Sequence, residues 1–167
     1  MNKVVKEILS YALIIILVLL FKHYIMSPIR VDGDSMNPTL KNGDIMLLNE
    51  IGKKSIDRFD IVVIDTEEDV IVKRVIGLPG ETLEYKDGFL YINGKRTHDD
   101  FVSLTRDFTL ESATGKKKIP SGYYFVMGDN RRNSLDSRDS RVGLVKKSNI
   151  IGKPIIRIWP LNKIGAI

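Results

Sequence analysis

The chain has 167 residues, 26 of them basic and 21 acidic, a length that admits one compact domain with a small appended lobe and not two large ones. It has no cysteine, which excludes disulfides, thiol nucleophiles and thiolate metal sites. The net charge of +5 is too small and scattered for a nucleic-acid footprint, and the two histidines, His23 and His98, leave no sensible Ser-His-Asp triad.

Ile8 to Phe21 is an apolar run broken only by Ser10, with Lys3 and Lys6 before it and Lys22 and His23 after it. As a helix the run is roughly 21 Å long, short of a hydrocarbon core of about 30 Å, so a membrane span takes Val4 to Met26. That extension sends the Lys22 ammonium toward the head groups and sets Tyr24 at the interface. A cleaved signal peptide is the rival, but Phe21 to Met26 supplies no small-residue pair of the A-x-A kind. A helix packed on the surface of a core would show one polar face, and this run has none, which counts against a core helix. We therefore expect an uncleaved anchor in residues 1–27 and a separate unit in residues 28–167. Lys3 and Lys6 compete with Lys22 and Arg30, so charge alone leaves the orientation open.

Beyond the anchor, Ile45 to Leu48, Asp60 to Asp65 and Val70 to Ile76 are short Val- and Ile-rich runs bounded by Gly, Asp or Asn, the pattern of an antiparallel β domain. Phe89 to Ile92 lies between Asp87-Gly88 and Asn93-Gly94, pairs that accept the positive φ of tight hairpin turns, which predicts a small ribbon. Residues 95–118 are polar and predict a surface loop or irregular lobe without assigned structure, with Lys116, Lys117 and Lys118 solvated. Tyr123 to Met127 and Ile151 to Trp159 resume the strand pattern, Pro154 demoting the latter to an edge or bulged strand.

Three stretches combine reactive side chains with turn residues: 33–40, 73–81 and 128–138. Ser35 follows Gly33, which permits unusual backbone angles, and precedes Pro38, which restricts Asn37 to extended conformations. Taken alone, Ser35 is a turn serine before it is a nucleophile. Lys73 is more informative. Strand alternation puts it on one face with Ile71 and Val75, and Val70, Val72, Arg74 and Ile76 on the other. Burial of that face would favour the neutral amine and make Lys73 a base, although a lone strand lysine more commonly snorkels to the sheet edge. Arg74 is expected in a salt bridge or in solvent. Gly77 to Gly80 has Pro and Gly at the second and third positions of a type II turn, a structural punctuation. In residues 128–138, Arg131, Arg132 and Arg138 offset Asp129 and Asp136, which favours a hydrogen-bonded loop over a divalent-ion site.

An N-terminal membrane segment, then S-M-N-P-T-L at 35–40, K-R-V-I-G-L-P-G at 73–80 and G-D-N-R-R-N-S-L-D-S-R at 128–138, resembles type I signal peptidase, the leader peptidase. Gly43-Asp44 matches a further short box. The single anchor and compact domain look more like Gram-positive members than larger two-anchor forms. The resemblance implies a mainly β fold: an antiparallel catalytic domain of the Ser-Lys type shared with LexA-like proteases. It carries an inserted ribbon or loop lobe at about residues 83–120 and follows one transmembrane helix.

It further implies a membrane-bound serine endopeptidase that removes signal peptides from secretory preproteins after small residues, with Ser35 as nucleophile and Lys73 as general base. Ser134 corresponds to a serine that hydrogen-bonds and orients the lysine, Asp136 and Arg138 to a supporting ion pair, and Asp129 and Asn130 to structural support. Met36 matches a residue lining the substrate pocket, with Val31 and Val72 as further walls by their offsets. Some members use a serine hydroxyl two residues before the nucleophile as an oxyanion donor. That position is Gly33 here, leaving the Ser35 N–H as one donor and the second unassigned within the Gly33 region. The family implies no metal and no cofactor. Its setting is the lipid bilayer of the cell membrane, near the secretion translocase, with a cytoplasmic N-terminus and an outer catalytic domain. Two rivals remain, a LexA-type self-cleaving protease, whose DNA-binding module is replaced here by the anchor, and a catalytically inactive membrane accessory protein on the same scaffold, which retention of Ser35 and Lys73 disfavours.

Overall fold

The computed structural model describes residues 2–50, 55–101 and 105–167, with residues 17 and 19–26 described by their backbone alone. Helix α1 runs Lys3–Ile25, and strand β1 (Met26–Arg30) follows without a linker. The boundary expected after residue 27 therefore falls inside a strand. Met26 and Ser27 pair with Asn49 and Leu48 of β2 (Ile45–Asn49), because backbone pairing continues to the residue where the helix stops. Among the described residues no helix is long and apolar enough to cross a membrane. The expected course of the Lys22 and Tyr24 side chains lies outside the described residues.

Among the described residues, eight strands form one antiparallel sheet. Its path is β1, β2, β11 (Ile150–Trp159), β3 (Ile61–Asp65), β4 (Val70–Gly77), β9 (Tyr123–Met127) and β10 (Val145–Lys146), and β12 (Gly165–Ala166) pairs with β11. Period-two alternation sorts these strands onto two faces, as β propensity and half-burial require. Ile61, Val63 and Val72 join Val31, Met36 and Leu40 in one apolar cluster, while Val62, Ile64, Ile71 and Val75 join Tyr124, Val126 and Ile150 in another. Pro154 does bulge its strand, since the register with β2 shifts between Pro154 and Ile156. It does not make it an edge: β11 lies between β2 and β3, and the bulge accommodates the missing N–H in the sheet interior.

A second sheet, in the order β7 (Lys95–Thr97), β6 (Phe89–Ile92), β5 (Leu83–Lys86) and β8 (Phe108–Thr109), is inserted between β4 and β9. Both predicted Asx-Gly turns form with consecutive positive φ, 50° and 75° at Asp87-Gly88 and 51° and 76° at Asn93-Gly94. Leu83, Tyr85, Leu90 and Ile92 pack with Ile76, Phe125 and Met127, so the lobe shares a core with the main sheet.

Residues 95–118, whose polarity points to a surface loop or irregular lobe without assigned structure, belong to this lobe. They contain β7, β8 and helix α2 (Leu110–Thr114), capped by reciprocal hydrogen bonds between Thr109 and Ser112 and ended by Gly115 at φ 71°. The strands are two or three residues long and exist through pairing with β5 and β6, a tertiary effect that local composition does not carry. The part of that stretch at 102–104 lies outside the described residues.

Candidate active site

The turn that carries Ser35 starts at Gly33, whose φ of +84° lies in the left-handed region that glycine adopts without strain. Asn37 N–H donates to Asp34 O at 3.1 Å and Leu40 N–H to Met36 O at 2.9 Å, closing the turn around Ser35. The 128–138 loop holds it from the other side. Asn130 N–H donates to Ser35 O at 3.0 Å, and Asn130 Nδ2 donates to Asp34 O at 3.1 Å.

Lys73 in β4 is 3% exposed, and its Nζ donates to Ser35 Oγ at 2.7 Å. Burial pulls its pKa down from 10.5 to about 8, against the opposing charges of Asp136 and Asp129. The lysine does not snorkel, and among the described residues it forms no ion pair. A buried amine that loses its proton near pH 8, in contact with a hydroxyl, is equipped to take the proton of that hydroxyl.

Around this contact the motif residues lock the loop. Arg74 donates to both oxygens of Asp129 at 2.7 Å and to Phe59 O at 2.8 Å, the salt bridge allowed for it. Arg138 makes a bidentate pair with Asp136, both bonds 2.8 Å, and Asp136 also accepts from Gly128 N–H at 3.0 Å. The loop carboxylates are therefore engaged by guanidinium groups, in keeping with the hydrogen-bonded reading of this stretch.

Ser134 departs from expectation. Its Oγ is buried without a hydrogen-bond partner among the described residues, so the bond expected between it and the lysine amine is not made. It lies instead against Gly128: a Cβ there would meet Ser134 Oγ at only 2.2 Å and Ser35 O at 2.4 Å, so both serines occupy the space that glycine leaves open. Val31, Met36 and Val72, at 3%, 1% and 8% exposure, share one apolar cluster with Leu40 of the Ser35 turn. Gly43-Asp44 supports that turn, since Asp44 accepts from Lys41 N–H at 3.0 Å and lies 3.2 Å from Arg157, which itself donates to Thr39 O at 2.6 Å.

The family model described as signal peptidase, peptidase S26, matches residues 3–159, a range that contains every element of this site. The chain belongs to the signal peptidase family. It is a serine peptidase of the S26 type. Among its relatives, signal peptidase I of Bacillus caldolyticus is 41% identical, the match covering 84% of this chain and 83% of the relative. Signal peptidase I S of Bacillus subtilis strain 168 is 42% identical over 95% of this chain and 92% of its own. The crystal structure of a signal peptidase I from Enterococcus faecalis V583 superposes with a TM-score of 0.55 at 41% identity, covering 59% of this chain and 96% of that one.

Sequence reasoning missed the interior of this family member's lobe. Asp99, in the segment read as surface, is 4% exposed and pairs with Arg131 of the catalytic-side loop at 2.6 Å. Nothing in His98-Asp99-Asp100 marks the middle residue as buried. The inward alternation of Leu83 and Tyr85 was available, but not the partner that Tyr85 finds. Arg157 was likewise hidden in a strand whose role was read from its proline alone.

Proposed function

We propose that this family member is a membrane-anchored signal peptidase I that cleaves secretory preproteins through a Ser35–Lys73 dyad. The 2.7 Å contact between a buried lysine amine and a serine hydroxyl carries the reading. Neutral Lys73 takes the Ser35 proton as Oγ attacks the scissile carbonyl carbon. The same proton passes to the leaving amine as the C–N bond breaks, leaving the signal peptide esterified to Ser35. Water then gives a proton to Lys73 and its oxygen to the ester, and the proton returns to Ser35 Oγ as the peptide departs.

The Ser35 N–H has no hydrogen-bond partner among the described residues and serves as an oxyanion donor. Gly33 leaves no hydroxyl at the second donor position, so any further donor is main-chain or solvent. Val31, Met36 and Val72 form the apolar wall that selects small residues at the first and third positions before the cut, with the peptide added as an extended strand. Asp129 and Asn130, with Asp136 and Arg138, hold the loop that keeps Ser35 and Lys73 in contact.

Helix α1 supports the anchor. It contains the apolar run Ile8 to Phe21 that the sequence marks out between Lys6 and Lys22. The described apolar side chains from Val4 to Val18, including Ile8, Leu13, Ile14 and Ile15, are more than two-fifths exposed, as a lipid-facing helix requires and a water-facing one does not. The N-terminus is then cytoplasmic and the catalytic unit lies on the outer face, where emerging preproteins meet it beside the translocase.

The decisive test is incubation of the detergent-solubilised protein with a preprotein, reading the cut site by mass spectrometry. Ser35→Ala and Lys73→Ala are each expected to lower processing by at least about 10³-fold while the protein stays folded. Full processing by either variant would sink the dyad.

A further inference from the structure

Arg131 and Asp99 bury their side chains to 0% and 1% exposure, in the contact between the lobe and the 128–138 loop. A buried guanidinium is tolerated only with a charged partner and satisfied donors. Arg131 has both. It donates to Asp99 through two bonds of 2.6 and 3.0 Å, to Tyr85 Oη at 2.9 Å and to Thr105 Oγ1 at 2.9 Å. Tyr85 Oη in turn donates to Asp99, and Phe101 N–H donates to it at 3.1 Å. Burial raises the Asp99 pKa, but the bonds and charge of Arg131, then Tyr85 and Phe101, outweigh it and hold the carboxylate ionised.

The remaining bonds of Arg131 run toward the reacting residues. Its Nε donates to Gly128 O at 3.1 Å, and its own carbonyl accepts from Arg138 at 2.8 Å. Gly128 N–H is held by Asp136, and Asn130 N–H holds Ser35 O. Asp129 and Asp136, the two carboxylates whose charge opposes the desolvation of Lys73, flank Arg131 in this loop and are themselves paired with Arg74 and Arg138.

We propose that Asp99, fixed by Tyr85, is a positioning residue: the lobe supplies the buried counter-charge that keeps Arg131, and through it the 128–138 loop, in register with Ser35 and Lys73. The inference rests on the Ser35–Lys73 reading. It makes the inserted lobe part of the active-site support, although no lobe residue belongs to the three motifs.

Removing the Asp99 charge takes one negative charge from the site and leaves Arg131 uncompensated, while Asp136 and Asp129 stay paired with Arg138 and Arg74. More positive field and less negative field at Lys73 act in the same direction, so its proton is held less tightly. The experiment measures kcat and KM against pH, from about 6 to 10, for the full chain and for Asp99→Asn, Asp99→Glu and Tyr85→Phe, with a thermal melt of each. Asp99→Asn is expected to lower kcat by about 10–100-fold with KM nearly unchanged, and to move the acid limb down by at least about half a pH unit. Asp99→Glu restores most of the rate, and Tyr85→Phe, which keeps the ion pair, shifts the limb less in the same direction.

Folded Asp99→Asn with wild-type kcat and limb, or with a uniform loss matching its unfolded fraction, overturns the inference. If Asp99→Asn does not fold, the Tyr85→Phe limb decides: a downward shift supports the proposal and a wild-type limb overturns it. Absence of a lysine limb in the wild-type profile would refute the dyad instead, so the two failures are distinguishable.

Discussion

Burying a lysine has a thermodynamic cost that can be measured directly by replacing it with methionine, an unbranched side chain one heavy atom shorter that carries no amine. The Lys73 pKa is about 8 in the fold against 10.5 for the free side chain. At about 1.4 kcal/mol per unit, folding wild type below pH 8 costs about 3 kcal/mol in desolvation of the ammonium. Lys73→Met removes that cost and loses one hydrogen bond to Ser35, about 1 kcal/mol, so the variant should be about 2 kcal/mol more stable at pH 7. The sign then depends on pH. Between about 8 and 10.5 the unfolded chain still binds the lysine proton while the folded chain does not, so wild-type stability rises with pH and the advantage of methionine shrinks toward zero. Urea denaturation of both proteins at pH 7 and near pH 10 measures this. A methionine variant that is less stable at pH 7, or an advantage that does not change with pH, would refute the argument that burial sets the lysine's proton affinity.

The pH–rate profile of the wild type should rise through about pH 8 as Lys73 becomes neutral, and a profile flat across that range would count against the lysine as base. Gly128→Ala forces a methyl group against Ser134 Oγ and Ser35 O, so it should cost about 1–3 kcal/mol in a urea titration and abolish processing even at temperatures where the variant is folded. Gly33→Ala meets nothing within 4 Å and should cost only about 1 kcal/mol, from its positive φ, as read from the denaturation midpoint. Arg74→Met strands the fully buried carboxylate of Asp129, so a loss of about 3–5 kcal/mol is expected, which Asp129→Asn in the same chain partly restores.

Strand content was legible wherever a run alternates between two buried faces, and β2, β3, β4, β6 and β9 lie within a residue or so of the runs that predict them. The hairpin turns were legible because an Asx-Gly pair needs only local conformational preference to declare itself. What composition concealed was decided by partners distant in sequence. β7 and β8 look like polar loop until β5 and β6 lend them hydrogen bonds, and Asp99 looks solvated until Arg131, 32 residues away, buries it. The site divides the same way. Lys73 was accessible through alternation and Ser35 only through the motif around it. The Ser134 hydroxyl has no hydrogen-bond partner among the described residues, which its place in the sequence does not disclose.

The direct passage of α1 into β1 sets a ruler. Ser35 is ten Cα steps beyond Ile25, the last residue of the helix, and a chain extends at most about 3.5 Å per residue, so Ser35 stands no more than roughly 35 Å from the end of α1. Because β1 is stitched to β2 along its whole length, the first half of that reach carries no slack. On the proposal that α1 is an anchor, a bilayer-embedded signal sequence would have to bring its cleavage point to one height. Choice of cut site is then partly a matter of altitude, and flexible residues inserted between Ile25 and Met26 would blur it without touching a single residue of the pocket.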